Sequence, residues 1–411
     1  MSDTTEPSSG LPGSGLPSIG LAALARMTFE GVDVQPLWNQ LVERATADPT
    51  DSSALMDLAT MLLLSGDRDN GLRVQAQALE LRRLYRRPAG GASALRLLAL
   101  AAPGDTMANT PLDFLLEGSD IELLTLYVSP EHPPLGSLPD HDVAFLAIGE
   151  SEANLAVLRA LEPILPHWPR PLINGRPDRI AELTRDGVCA LLAGVEAVVA
   201  PATARVSREI LGGIGRDQIA LDGLLPGQAF PIIVRPIGSH AGTGLEKLDS
   251  RGAIAGYLAG QDADSFYMAP FVDYAGPDGQ FRKQRIALIE GRPFICHMAI
   301  SPRWMVHYLN ADMLENAVNR AEEAQFMADF DQGFARRHAA AFEQLHQRIG
   351  LDYFAIDCAE TRDGRLLLFE ADVAMIVHAM DPPALFAYKQ PQMRKVFDAF
   401  QAMLRRRAGA G

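Results

Sequence analysis

Residues 353–372 constrain this chain more than any other stretch. Tyr353, Phe354 and Ile356 form one strand-favouring arm, and Leu366, Leu367, Leu368 and Phe369 form another, on either side of Asp363-Gly364. That dipeptide is the strongest short-range signal for a two-residue hairpin turn. Counting outward from the turn pairs Asp357 with Glu370. The two-residue period of a strand then puts Asp372 on the face of Glu370, beside Leu366 and Leu368. Two like charges about 5 Å apart at an effective dielectric of about 20 repel by roughly 3 kcal/mol, so three crowded carboxylates predict a compensating cation. Ligands that are all oxygen favour Mg²⁺, with Mn²⁺ as the alternative. The competing reading is a solvated hairpin with acidic decoration.

A second segment points to phosphate. Phe230 to Arg235 reads as a buried strand ending in a cation. A loop containing Gly238, Ser239, Gly242 and Gly244 follows, and a helix is expected over Leu245–Leu258. Backbone N–H groups approach phosphate oxygens closely where side chains are small, and Arg235 adds a delocalised charge. The loop matches neither the P-loop nor the GxGxxG fingerprint, and a simple packing device is the alternative.

A third segment is basic. Lys283 and Arg285 share one strand face, and Glu290-Gly291-Arg292 reads as the turn of a second hairpin. If that turn has three residues, His297 lies opposite Arg285. Such a surface could hold a phosphoryl group as charge develops, and an exposed basic strand is the alternative. The chain has four lysines, Lys247, Lys283, Lys389 and Lys395, against 33 arginines. Trp304, His307, Tyr308 and Asn310 then form an aromatic and polar cluster suited to a substrate pocket. His378 and Asn174 are further substrate candidates, and each has an ordinary structural reading as a core histidine and a loop cap.

Together these segments resemble the ATP-grasp superfamily of carboxylate–amine ligases, over roughly residues 95 to 400. The matching positions are Arg235-Pro236, the lid from Gly238 to Gly244, and a hinge from Tyr267 to Val272 that includes Met268 and Phe271. A hairpin from Arg282 to His297, then Asp357 and Glu370-Ala371-Asp372, complete the match. Arg235 stands where the family usually has Lys, and Asp372 where it usually has Asn. The first change alters reach and hydrogen-bond geometry, and the second adds a negative charge.

The resemblance implies an α/β fold of the α+β ATP-grasp type, with ATP and Mg²⁺ as cofactors. It assigns Arg285, His297 and Lys283 to catalysis. Arg235, Gly238, Ser239, Gly242, Gly244, Met268, Phe271 and Val272 would hold nucleotide, and Asp357, Glu370 and Asp372 would hold metal. The implied activity joins a small-molecule or peptide carboxylate to an amine. A nucleotide-binding scaffold that has lost this chemistry is the alternative.

Composition bounds the rest. A chain of 411 residues with 48% hydrophobic content can bury two or three cores. No apolar run reaches the roughly 20 residues of a membrane span, so no membrane partner is expected. A formal charge of −14 argues against nucleic acid. Cys189, Cys296 and Cys358 lack paired spacing, which suits a reducing cytoplasm.

Residues 1–20 read as a disordered tail. Residues 21–90 read as helical, with a tetratricopeptide-like pair around Gly66-Asp67 that would dock a protein partner or a second copy; a plain helical extension is the alternative. An α/β domain is expected over 91–203, a lid over 204–265 and a final sheet domain over 266–411. Covering helices are expected over Leu314–Ile349 and Gln392–Arg406.

Overall fold

The computed structural model describes residues 17–91, 94–239 and 242–409. Part of the expected tail, and His240 and Ala241 of the expected lid loop, lie outside the described residues.

The N-terminal part is helical: α1 Leu21–Phe29, α2 Gln35–Ala47, α3 Ser52–Leu64 and α4 Arg68–Leu81. The Asp51 and Asp67 side chains cap α3 and α4 by accepting the N–H groups of Ala54 and Asn70. Gly66, at a φ of 87°, makes the turn between them. The helical run stops at Leu81. Leu84–Arg87 is instead strand β1, paired antiparallel with a strand of the next unit.

That unit is a sheet of β1, β2 Leu95–Ala101, β3 Ile121–Tyr127, β4 Val143–Leu146 and β5 Leu172–Ile173, in the order β1-β3-β2-β4-β5. All its pairs except β1–β3 are parallel. The near-continuous apolar runs of β2 and β4 fit this, because parallel strands are covered on both faces. Short helices fill the connections: α5 Leu112–Leu115, α6 Leu155–Leu161, α7 Pro177–Ala181 and α8 Arg185–Leu191.

After β6 Val198–Val199 comes a small antiparallel sheet of β7 Ala204–Ser207, β8 Ile232–Pro236, β9 Glu246–Leu248 and β10 Ser265–Pro270, in the order β7-β10-β8-β9. Helices α9 Arg208–Gly215 and α10 Ala253–Ala259 share its core. The helix expected from Leu245 therefore begins only at Ala253, because Glu246–Leu248 pairs with β8. The glycine loop joins two antiparallel strands, not a strand and a helix.

The last sheet has the order β12-β11-β13-β14-β6, with β11 Phe281–Ile289, β12 Arg292–Ser301, β13 Tyr353–Glu360 and β14 Leu366–Asp372. Its covering helix is in three pieces, α11 Ala317–Asp329, α12 Phe334–Arg337 and α13 Ala339–Ile349. Then come α14 Pro383–Phe386 and α15 Lys389–Gly409. Ile286, Leu288 and Ile356 of this sheet share one core with Val157 and Leu158 of α6. Ala287 and Ala355 share another with Phe145 of β4 and Phe400 of α15. The first and last sheets are thereby fused through common cores into one mixed α/β body.

Both hairpins of the last sheet depart from the expected turns, and a bulge cancels each departure. Thr361 and Arg365 close a three-residue turn through a 2.9 Å backbone hydrogen bond, with Gly364 at a φ of 82°. Phe369 then bulges, so that Cys358 faces Leu368 while Asp357 still faces Glu370. In the other hairpin Ile289 faces Arg292 across a two-residue turn, with Glu290 and Gly291 at φ of 49° and 79°. Cys296 bulges, and Arg285 still faces His297. A bulge re-aims the side chains beside it. Accordingly Leu366 and Leu368 share a core with Ala371 and Val373, and do not flank Glu370 and Asp372 as expected.

Candidate functional site

A cavity of about 550 Å³ lies between the small antiparallel sheet and the last sheet. Its walls come from strand ends. Arg235 ends β8, and the hinge from Tyr267 to Val272 ends β10. Lys283 and Arg285 sit on β11, His297 on β12, Asp357 on β13, and Glu370 and Asp372 on β14.

The centre of the site is an ion cluster. Asp357 is 3% exposed. Lys283 Nζ donates to its Oδ2 at 2.9 Å, and Arg285 donates through Nε at 2.8 Å and Nη2 at 3.1 Å. Burial alone would raise the Asp357 carboxyl, but Arg285 and Lys283 hold it well below the usual carboxylate range. Arg285 also donates to the Ile376 carbonyl at 3.1 Å, which fixes its plane. The cations that the carboxylate arrangement demanded are therefore in part side chains of the protein.

Glu370 is met from the other side of the chain. Arg185, at the start of α8, stands 2.8 Å from Glu370 and donates to the Phe369 carbonyl at 3.1 Å. Burial raises the Glu370 carboxyl, but Arg185 and other cations bring it below its usual value. Asp372 differs. It accepts the Ala374 N–H at 2.9 Å, and burial, with Glu370 and Glu150 nearby, pushes its carboxyl up to about 7. Burial pushes Glu150 up to about 7 as well. Among the described residues no group of three or more His, Cys, Asp or Glu side chains is gathered as a metal cluster. Glu370 and Asp372 nevertheless offer an all-oxygen pair with an excess negative charge, which fits a hard divalent cation completed by other oxygen donors.

Arg235 is 9% exposed, and burial, with Arg185 nearby, lowers its guanidinium to about 10. It faces Tyr267 across the β8–β10 pair and donates to Ser239 Oγ at 3.1 Å, so Ser239 orients it. Gly238, Gly242 and Gly244 all have positive φ, and Gly242 lines the cavity. A Cβ on Gly244 would fall 2.7 Å from the Pro236 ring, so the loop turns where only glycine fits.

The remaining candidates separate into those at the cavity and those elsewhere. Phe271 and Val272 line it, and Phe271 packs edge-on against Trp304 with ring centroids 5.6 Å apart. Trp304, His307, Tyr308 and His378 also line it. His297 lies 4.6 Å from the Tyr308 ring, and burial with Arg285 nearby takes its imidazole well below its ordinary pKa. Asn310 serves the loop by accepting the His307 N–H at 2.9 Å.

Met268 points the other way. It is fully buried in the core of Val234 and Phe266, because alternation along β10 gives Tyr267 and Ala269 to the cavity. Asn174 is 1% exposed and is spent on structure. Its amide exchanges two hydrogen bonds with the Tyr353 backbone, at 2.7 and 2.9 Å, joining β5 to β13.

Several cavity residues escaped the sequence reading. Arg185 gives no local signal, since its partner is far along the chain. Tyr267 was within the hinge but not singled out. Lys389, 2% exposed, pairs with Asp381 at 3.0 Å and Glu323 at 3.4 Å, and lysine scarcity was the signal that could have marked it.

No family model matches the chain, and no curated protein does. Its backbone is similar to several solved structures at low identity. D-alanyl-alanine synthetase A from Vibrio cholerae overlaps with a TM-score of 0.47 and 12% identity, over 78% of this chain and 100% of that one. VanG D-Ala:D-Ser ligase from Enterococcus faecalis overlaps with a TM-score of 0.45 and 9% identity, over 75% and 99%. A RimK domain ATP-grasp protein from Sphaerobacter thermophilus gives 0.40 and 15%, over 74% and 98%. Likeness at this level assigns neither activity nor substrate.

Proposed function

We propose that the protein is an ATP-dependent carboxylate–amine ligase of the ATP-grasp kind. The observation that carries this reading is the group of cations at the cavity: Lys283 and Arg285 locked onto buried Asp357, with Arg235 lining the same cavity and Glu370 in register with Asp357. A preorganised group of this sort stabilises charge developing on a phosphoryl group without reorganising at the moment of reaction.

In this reading the hinge side chains Phe271 and Val272 receive the adenine, and Arg235 meets the polyphosphate. A substrate carboxylate oxygen attacks the γ-phosphorus, the bond to the bridging oxygen breaks, and ADP leaves. Lys283 and Arg285 hold the resulting acyl phosphate. The amine nitrogen then bonds to the acyl carbon, the C–O bond breaks, inorganic phosphate leaves, and the nitrogen gives up a proton to the departing phosphate. Glu370 and Asp372 would hold Mg²⁺, which when bound supplies charge neutralisation on phosphate oxygens. Gly242, in the glycine loop between β8 and β9, lines the cavity, and this loop would exclude water from the acyl phosphate. The free thiols of Cys189, Cys296 and Cys358 support a reducing, cytoplasmic setting.

One observation favours the scaffold alternative. Asp357 and Glu370 already have protein cations, which leaves Asp372 as the one carboxylate of the three without an ion pair among the described residues and lessens the demand for a metal. ADP release separates the readings. The ligase releases ADP from Mg²⁺-ATP when pooled amino acids are added, and Lys283→Ala abolishes that release. Tight nucleotide binding with no amine-stimulated ADP would instead establish the scaffold.

A further inference from the structure

One part of the cavity wall, the His378 end, reaches the N-terminal helices. His378 lines that end, and its ring lies 5.9 Å from the Phe114 ring after α5 begins and 6.3 Å from the Phe29 ring at the end of α1. Its Nδ1 accepts the Met380 N–H at 3.1 Å, which places the proton of the neutral ring on Nε2.

Helix α1 is held firmly in this position. Asp57 of α3 accepts the Ile19 N–H through both oxygens, at 3.0 and 2.9 Å, and Asp113 of α5 accepts the Leu21 N–H at 3.2 Å. These carboxylates satisfy donors at the start of α1, where an anion is favoured. Arg26 pairs with Glu117, and Leu24 is 1% exposed.

The chemistry of this end is mixed. Met107, Cys296, Met375 and Val377 give it apolar walls. Lys389 lies between Asp381 and Glu323, so the cluster carries one excess negative charge when both carboxylates are ionised. Burial pushes Glu323 upward, opposed by Lys389 and by the Tyr388 hydroxyl, which donates at 2.6 Å. Asp381 is the carboxylate of the two that lines the cavity.

We propose that this end takes the amine substrate, a primary amine carrying an apolar group, and that Phe29 is a positioning residue acting on it through His378. Asp381 receives the amine N–H groups, and the apolar walls receive the side group. The inference rests on the ligase reading above, and it makes the N-terminal helical segment part of substrate selection.

The test is calorimetric titration of L-leucinamide and glycinamide into the full-length protein loaded with Mg²⁺ and adenylyl imidodiphosphate. L-Leucinamide binds, and glycinamide binds at least about tenfold more weakly because it lacks the apolar group. Phe29→Leu weakens L-leucinamide binding about fivefold, Phe29→Tyr restores it, and neither changes affinity for the nucleotide analogue. Phe29 is 42% exposed, so both variants fold. Equal affinity for the two amides, an unchanged Phe29→Leu, or analogue binding without amide binding overturns this inference alone. Absence of analogue binding in the wild type removes the ligase reading, and the inference with it.

Discussion

Arg185 stands 2.8 Å from Glu370, so an arginine at the start of α8 neutralises a carboxylate of the last sheet. The pair ties the first α/β unit to the wall of the cavity. It also occupies the carboxylate that the proposed function gives to Mg²⁺.

Removing that arginine should therefore expose the charge. Arg185→Ala leaves Glu370 beside Asp372 with one fewer cation, and affinity for Mg²⁺ or Mn²⁺ alone rises about threefold to tenfold. Titration of Mn²⁺ followed by electron paramagnetic resonance checks this. Unchanged or weaker binding would show that Arg185 does not compete for the site.

Buried Asp357 holds two half-buried cations, and neither has another carboxylate partner among the described ion pairs. Asp357→Asn leaves both uncompensated and destabilises the protein by about 3–5 kcal/mol. Its carboxyl is held well below the usual range, so this stabilisation is present at neutral pH and lost only as strongly acidic pH protonates the folded form. Urea unfolding at pH 7 measures the loss.

Asp372 behaves oppositely. In the unfolded chain it ionises near about 4, and in the folded protein near about 7. Between those values the folded state alone keeps the proton, so stability falls as pH rises from 4 to 7 and is level above 7. Asp372→Asn removes that contribution, although Glu150, also near 7, remains. The fall in urea midpoint from pH 4.5 to 7.5 is smaller in the variant than in the wild type.

Adjacent hinge residues should separate packing from binding. Met268→Ala costs about 2–5 kcal/mol of stability, since Met268 is fully buried, and leaves nucleotide affinity intact. Phe271→Ala keeps most of the stability and weakens nucleotide binding about tenfold. Thermal unfolding and nucleotide titration on the same two variants read both quantities.

The two hairpins show what a sequence carries and what it does not. The pairs Asp357–Glu370 and Arg285–His297 were legible from strand alternation and turn chemistry, and the structure contains both. Each was nevertheless reached through a turn one residue too short or too long, offset by the bulge at Phe369 or Cys296. Bulges answer to the packing of the whole sheet, which local propensity does not encode. The same limit hid β9, whose three residues gain strand structure only by pairing with β8, and Arg185, whose partner lies in a distant element. In the sequence Asn174 reads as a substrate candidate or, structurally, as a loop cap. Only the approach of Tyr353 makes it a structural splice.

The most direct test of the central claim is calorimetric titration of Mg²⁺-ATP into the wild type and Glu370→Gln. The ligase account predicts saturable, Mg²⁺-dependent binding in the wild type and at least about tenfold weaker binding in the variant. Equal affinity in the two proteins, or no binding in the wild type, would contradict it.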